Sequence, residues 1–288
     1  MRESKLPFLE KNLGFMGANP DFEACSRVII GLPMDSTTSF RPGARLGPAR
    51  IRGVSEVLEE FSIYQNRSLL DINFYDGGDV VIPFGNVVES LKRIEQTVDA
   101  ILAQGKRTLC IGGEHLVSLP VIKAYRKYYP DLVVVQLDAH ADLREEYLGE
   151  QLSHATVMRQ VVELIGPQRL YQLGIRSATE DELLFAAAHT MLYLDRLSTA
   201  VDEVKQHIGR RPVYITLDID VLDPAFAPGT GTPEPGGFSS RELLQVLLSL
   251  AELDVVGFDL VEVAPPYETG DNTSILGAKI IREALLAF

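Results

Sequence analysis

The chain is poor in cysteine: Cys25 and Cys110 are its only two in 288 residues. That is too few for a disulfide framework or a thiolate metal site. Cys110 sits in the apolar stretch TLCIG and reads as a buried free thiol. Long apolar runs are missing too. No stretch reaches the ~18 residues a membrane-spanning helix needs. The opening MRESKLPFLEKNLGFMG has no apolar segment ahead of a small-residue cleavage site, so no secretory signal is expected. These absences together point to the cytoplasm. Positive charge is also short, with 27 Lys and Arg against 40 Asp and Glu and a formal net charge of −13. Such a balance disfavours nucleic acid as a partner and mildly favours a cationic ligand, although a solvated acidic surface is the plainer account of it. There is no internal repeat, low-complexity tract or Ser/Gly linker. The expectation is one α/β domain over residues 1–288, with 1–26 as an N-terminal extension packed on it.

What is present is alternation. Short apolar runs suited to strands covered on both faces occur at 27–33, 107–113, 132–138, 169–175, 212–220 and 255–263, with weaker ones at 73–80 and 191–195. Helical periodicity lies between them. Over 87–105, Val87, Val88, Leu91, Ile94, Val98, Ile101 and Leu102 recur at helical spacing. Ser239 and Glu242 make a capping box ahead of another helix over 239–253. Gly47-Pro48 opens one more, and ILGAKIIREALLAF closes the chain as a helix. The Pro/Gly-rich piece 223–237 is a long loop of the kind that usually serves function. Pattern alone leaves a closed barrel and an open doubly wound sheet both possible. Either gathers its chemistry at the carboxyl ends of the strands.

Three strand ends carry that chemistry. The run 107–113 leads into Glu114 and His115; LDAHADLR places Asp138, His140 and Asp142 at alternate positions; PVYITLDID ends in Asp218 and Asp220. The last pair shares a face if the strand stays extended. Four carboxylates and two imidazoles at one mouth repel unless cations join them, and two divalent ions with bridging carboxylates answer that need. An oxygen-rich set with some nitrogen and no thiol suits manganese better than structural zinc. His189 and His207 lie on ordinary helix patterns and read as surface or packing residues.

The segments GGEHLVSLP, LDAHADLR, LSHAT, TLDIDVLDPAFAPGTGTPEPGG and DLVEVAPP, in that order from about residue 27 to the end, resemble the ureohydrolase family of arginases, agmatinases and related guanidino hydrolases. Within that family the chain most resembles bacterial agmatinases. The resemblance implies a three-layer α/β/α fold with an open parallel sheet of eight strands. It implies two Mn2+ ions per chain. His115, Asp138, Asp142 and Asp218 would hold one, and His140, Asp138, Asp218 and Asp220 the other, with Asp138 and Asp218 bridging. It implies a homo-oligomer, trimer or hexamer. By the same match Asp142 orients the attacking water, Glu262 pairs with the guanidinium, and His154 relays a proton to the departing amine. Without the match, His154 is a helix-start histidine and Glu262 a carboxylate near a strand end.

The choice of small cationic guanidino substrate rests on less. Residues 143–153, LREEYLGEQLS, have no asparagine with which to grip an α-amino acid, and Glu145 and Glu146 would suit a terminal ammonium if they face the cleft. The loop FRPGARLGP at 40–48 resembles the family's cleft entrance. Agmatine, giving urea and putrescine in polyamine biosynthesis, comes first; N1-aminopropylagmatine, guanidinobutyrate and arginine follow. Two other classes compete with this reading: a non-catalytic binder of metal, polyamine or a partner protein, and a zinc-dependent deacetylase with one metal. The full set of six ligand residues, with His154 and Glu262, argues against both.

Overall fold

The computed structural model describes residues 6–11 and 13–288, so residues 1–5 and 12 of the N-terminal stretch lie outside it. The strands are β1 (Leu9–Glu10), β2 (Arg27–Leu32), β3 (Phe61–Ser62), β4 (Arg67–Ser68), β5 (Phe74–Val80), β6 (Arg107–Gly112), β7 (Val133–Leu137), β8 (Leu170–Leu173), β9 (Met191–Tyr193), β10 (Pro212–Asp218) and β11 (Asp254–Val261). The helices are α1 (Gly47–Ser55), α2 (Val87–Leu102), α3 (Ser118–Tyr128), α4 (Val157–Ile165), α5 (Glu180–His189), α6 (Val201–Ile208), α7 (Ser240–Leu250) and α8 (Asn272–Ala287). All eight expected strands form. The sheet is nine-stranded, ordered β1-β5-β2-β6-β11-β10-β7-β8-β9. Its ninth strand, β1, is a two-residue edge antiparallel to β5, and the other pairings are parallel. The sheet is therefore open, as the resemblance implies. The hairpin β3–β4 stands apart from it.

Period-two alternation splits each central strand between two cores. Val133, Val135 and Leu137 of β7 face one, together with Val204, Leu247 and Ala284 of α6, α7 and α8. Val134 faces the other, with Ile94, Val121 and Val161 of α2, α3 and α4. Helices thus cover both faces, which is why these strands read as unbroken apolar runs. The Ser239–Glu242 capping box forms as expected, both side chains reaching the other's backbone N–H. Val88 departs from the expected α2 stripe: it is 67% exposed at the helix start, one position round from the buried line of Ile94, Val98 and Ile101. Both cysteines are buried and free. Among the described residues no helix is long and apolar enough to cross a membrane.

The order of the strands matters most for function. β6, β11, β10 and β7 are neighbours in that order, although β10 and β11 come last in the chain. Late strands inserted between early ones bring four strand ends to one crevice, where open α/β sheets bind their ligands.

Candidate metal centre

Each of the four strands ends in a different local device. β6 runs through Gly112-Gly113 into a short turn at His115–Val117. Only glycine fits at 113, since a Cβ there would lie 1.9 Å from Met34 O. The neighbouring chain ends are zipped together as Glu114 N–H donates to Met34 O at 2.7 Å. β7 stops at Leu137, and Asp138 turns back so that its Oδ1 accepts the N–H of His140 at 2.6 Å. Asp142 follows with φ 53°, in the left-handed region. β10 ends on Asp218, whose Oδ1 accepts the Asp220 N–H at 2.9 Å. The extended conformation does not persist past Asp218, and a turn over Ile219–Val221 delivers Asp220 instead. Asp218 and Asp220 therefore do not share a strand face. β11 gives way to Glu262, which is also left-handed at φ 63°. A non-glycine residue in that region costs roughly 1–3 kcal/mol, and two of them fall at this one site.

The six residues singled out as ligands converge. His115 Nδ1 lies 3.0 Å from Asp138 Oδ2, 3.2 Å from Asp142 Oδ2 and 3.3 Å from Asp218 Oδ2. His140 Nδ1 lies 3.0 Å from Asp220 Oδ2 and 3.7 Å from Asp138 Oδ1. Two groups are spaced to take a cation each: His115 with Asp138 and Asp218, and Asp138 with His140 and Asp220. Asp138 belongs to both.

The surroundings decide which way His115 points. Its Nε2 meets Thr216 Oγ1 at 3.0 Å, and that hydroxyl lies 2.6 Å from Asp259 Oδ1. A hydroxyl has one proton to give. Given to the carboxylate, it leaves Thr216 accepting from Nε2–H. Nδ1 then carries a lone pair turned on three carboxylates, and among the described residues it finds no hydrogen-bond donor. Asp138 is braced in turn by Gln136 Nε2 at 2.7 Å, and Gln136 by Gln172 Nε2 at 2.7 Å.

Electrostatics makes the same point. Burial, reinforced by the charge of Asp138, pushes Asp142 up to about 7. Burial and then Glu114 push Glu262 up to about 8. Burial, with Asp220 and Asp138, raises Asp218 well above the carboxylate range. Burial works against the charge on His140, yet Asp220 and Asp138 outweigh it and push the ring up to about 12. So many acids cannot all ionise together unless cations join them. Three carboxylates turned on one imidazole nitrogen, with a second histidine–carboxylate pair beside them, fit a pair of divalent ions.

His115, His140, Asp142 and Asp218 of this set line a cavity of about 210 Å³. Glu262 is there, buried, with Oε1 accepting the His115 N–H at 2.8 Å. His154 is there too, just ahead of α4, held below its ordinary pKa by burial. Glu145 and Glu146 do not line the cleft. Both are exposed, because the loop turns over at Tyr147–Glu150, and Glu145 leans toward Arg159 at 3.9 Å. The loop contributes Arg144 and Tyr147 instead, facing Glu182 of α5. Glu182 is spent on local structure, accepting the N–H groups of Leu143 at 2.9 Å and Thr179 at 2.8 Å. Ser39, one residue before FRPGARLGP, reaches the cleft. His189 and His207 stay outside it, on α5 and α6.

Sequence reasoning missed Thr216, Asp259, Gln136 and Gln172. The available signal was polar residues inside otherwise apolar strands, which are costly there unless each has a partner.

Comparison with known proteins agrees with the geometry. Residues 26–287 match the model of the arginase family. Agmatinase of Bacillus subtilis is 50% identical over 278 residues, covering 95% of this chain and 96% of that enzyme. Guanidinobutyrase of Pseudomonas aeruginosa is 36% identical over 277 residues, covering 92% and 87%. The solved structure of proclavaminate amidino hydrolase from Streptomyces clavuligerus superposes with a TM-score of 0.88 at 35% identity, over 97% of each chain. With nearly the whole length matched, and a cation-demanding cluster at the centre of the sheet, the chain belongs to the arginase family.

Proposed function

We propose that the chain is an agmatine ureohydrolase, cleaving agmatine to urea and putrescine with two Mn2+ ions. One observation carries the reading: His115 Nδ1 meets three carboxylates beside the His140–Asp220 pair, in the cleft that also holds His154 and Glu262. The agmatinase at 50% identity supports the substrate. His115, Asp138, Asp142 and Asp218 would hold one ion, and His140, Asp138, Asp218 and Asp220 the other. Bound there, the ions supply an activated water near neutral pH.

The chain's own residues do the rest. Asp142 accepts a hydrogen bond from the attacking water and fixes its direction. Glu262, anchored through Oε1, offers Oε2 to the planar guanidinium and holds its carbon in place. Resonance makes that carbon a poor electrophile, which is why an activated water is needed, and an amide anion is too basic to leave, so the amine must depart protonated. His154 relays that proton, taking it up as the intermediate forms and passing it to the amine, and burial favours its release from the ring. The reading also places the chain in the cytoplasm as a homo-oligomer; exposed apolar side chains such as Ile63 and Leu70 support the second part.

A second substrate has one observation in its favour. Arg144 lines the cleft and would suit a tail carboxylate, as in guanidinobutyrate. The test is urea release by the Mn2+-loaded protein from agmatine, N1-aminopropylagmatine, guanidinobutyrate and arginine side by side. Agmatine should be turned over fastest. Faster release from guanidinobutyrate would pass the tail to Arg144, and no urea from any of them would sink the hydrolase reading.

A further inference from the structure

Thr37 stands between a buried carboxylate and the backbone of His154. Glu114 is fully buried, and its Oε2 accepts Thr37 N–H at 2.9 Å and Thr37 Oγ1–H at 2.7 Å, with Thr38 Oγ1 at 3.3 Å. The Thr37 hydroxyl, its proton given away, accepts the N–H of His154 at 3.1 Å. The imidazole itself is weakly tethered. Among the described residues its Nε2 has only Ser39 Oγ at 3.4 Å and its buried Nδ1 has no hydrogen-bond partner, while Tyr147 packs edge-on with ring centres 5.7 Å apart. Catalytic histidines are usually aimed by a hydrogen bond on the second ring nitrogen. Here that bond is missing, so aim must come from the main chain.

We propose that Thr37, locked by Glu114, is the positioning residue for His154. It pins the backbone N–H from which the ring projects, and so sets the reach of the proton donor toward the departing amine. The proposal rests on the reading of His154 as that donor. Glu114 neighbours His115, whose own N–H is bound to Glu262. One turn after β6 thereby sets the ligand, the guanidinium partner and, through Thr37, the proton donor. Proton transfer is sensitive to sub-ångström placement, so loosening this pin should slow turnover without weakening binding.

The test uses Mn2+-loaded protein and four variants: Thr37→Val, Thr37→Ser, His154→Ala and the double Thr37→Val/His154→Ala. Thr37→Ala replaces the valine variant should that not fold. Loss of the hydroxyl should lower kcat for urea release by about tenfold, with KM within about twofold and metal content unchanged. Thr37→Ser, which keeps the hydroxyl, should restore kcat. In the His154→Ala background the Thr37 change should cost nothing more, because its effect passes through the ring. An equal loss in both backgrounds, loss of metal from Thr37→Val, or wild-type kcat without the hydroxyl overturns the proposal while leaving His154 as donor. Full activity of His154→Ala would instead remove the donor reading, and the proposal with it.

Discussion

Thr216 holds His115 by the nitrogen that faces away from the carboxylates, at 3.0 Å. Asp259 behind it takes the hydroxyl proton at 2.6 Å, which leaves the histidine one tautomer. The consequence is a lone pair on Nδ1 in place before any ion arrives. Thr216→Val should therefore weaken Mn2+ binding by roughly 10–100-fold, as loss of a hydrogen bond behind a ligand does. Titration calorimetry on metal-free protein measures it; unchanged affinity would show that the tautomer is set elsewhere.

Ligation and proton delivery are assigned to different residues, and two variants separate them. Asp138→Ala removes the carboxylate common to both cation-spaced groups, and should abolish stoichiometric metal binding. His154→Ala should keep two ions per chain and lose about 100-fold or more in turnover. Metal analysis beside urea release reads both. Full activity in both variants would overturn the assignment.

Glu145 and Glu146 face solvent, so they should not select the substrate's tail. The double variant Glu145→Gln/Glu146→Gln is expected to leave KM for agmatine within about twofold, as exposed charges contribute little. A large rise in KM would mean the loop closes over the bound substrate.

Glu283 of α8, which does not line the cleft, provides a pH test outside the metal centre. Burial raises its carboxyl, but hydrogen bonds from Gln65 and Ser62 and the Arg282 guanidinium outweigh burial and hold it below its ordinary value. A lowered carboxylate contributes stability above its unfolded pKa and loses it as pH falls through the lower folded value. Melting temperature should accordingly drop on acidification below about pH 4.5, and Glu283→Gln should flatten that part of the curve. A variant with the same acid limb as the parent would remove Glu283 from the account.

The site's legibility was uneven for physical reasons. Asp138, His140 and Asp142 were readable because charged side chains directly after an unbroken apolar strand are conspicuous. Asp220 is conspicuous by type, but periodicity cannot show that the strand stops at Asp218 and that a turn delivers its neighbour. Glu145 and Glu146 misled because charge shows no direction in a loop; the exposed turn at Tyr147–Glu150 decides it. Thr216 and Asp259 look like ordinary strand positions until their partners are known.

By itself, then, the sequence determined where the eight parallel strands form and which carboxylates and imidazoles follow them. Those follow from local periodicity and residue chemistry, which act over a few residues. Strand order and the partners across it were decided only by the tertiary structure. His115 and Thr216 are 101 residues apart, and Glu114 and Thr37 are 77 apart. Such pairs meet because β10 and β11 insert between β6 and β7, and because the chain after β2 runs beside the end of β6. Burial of two apolar faces under helices drives that arrangement. Nothing local in either partner encodes the meeting.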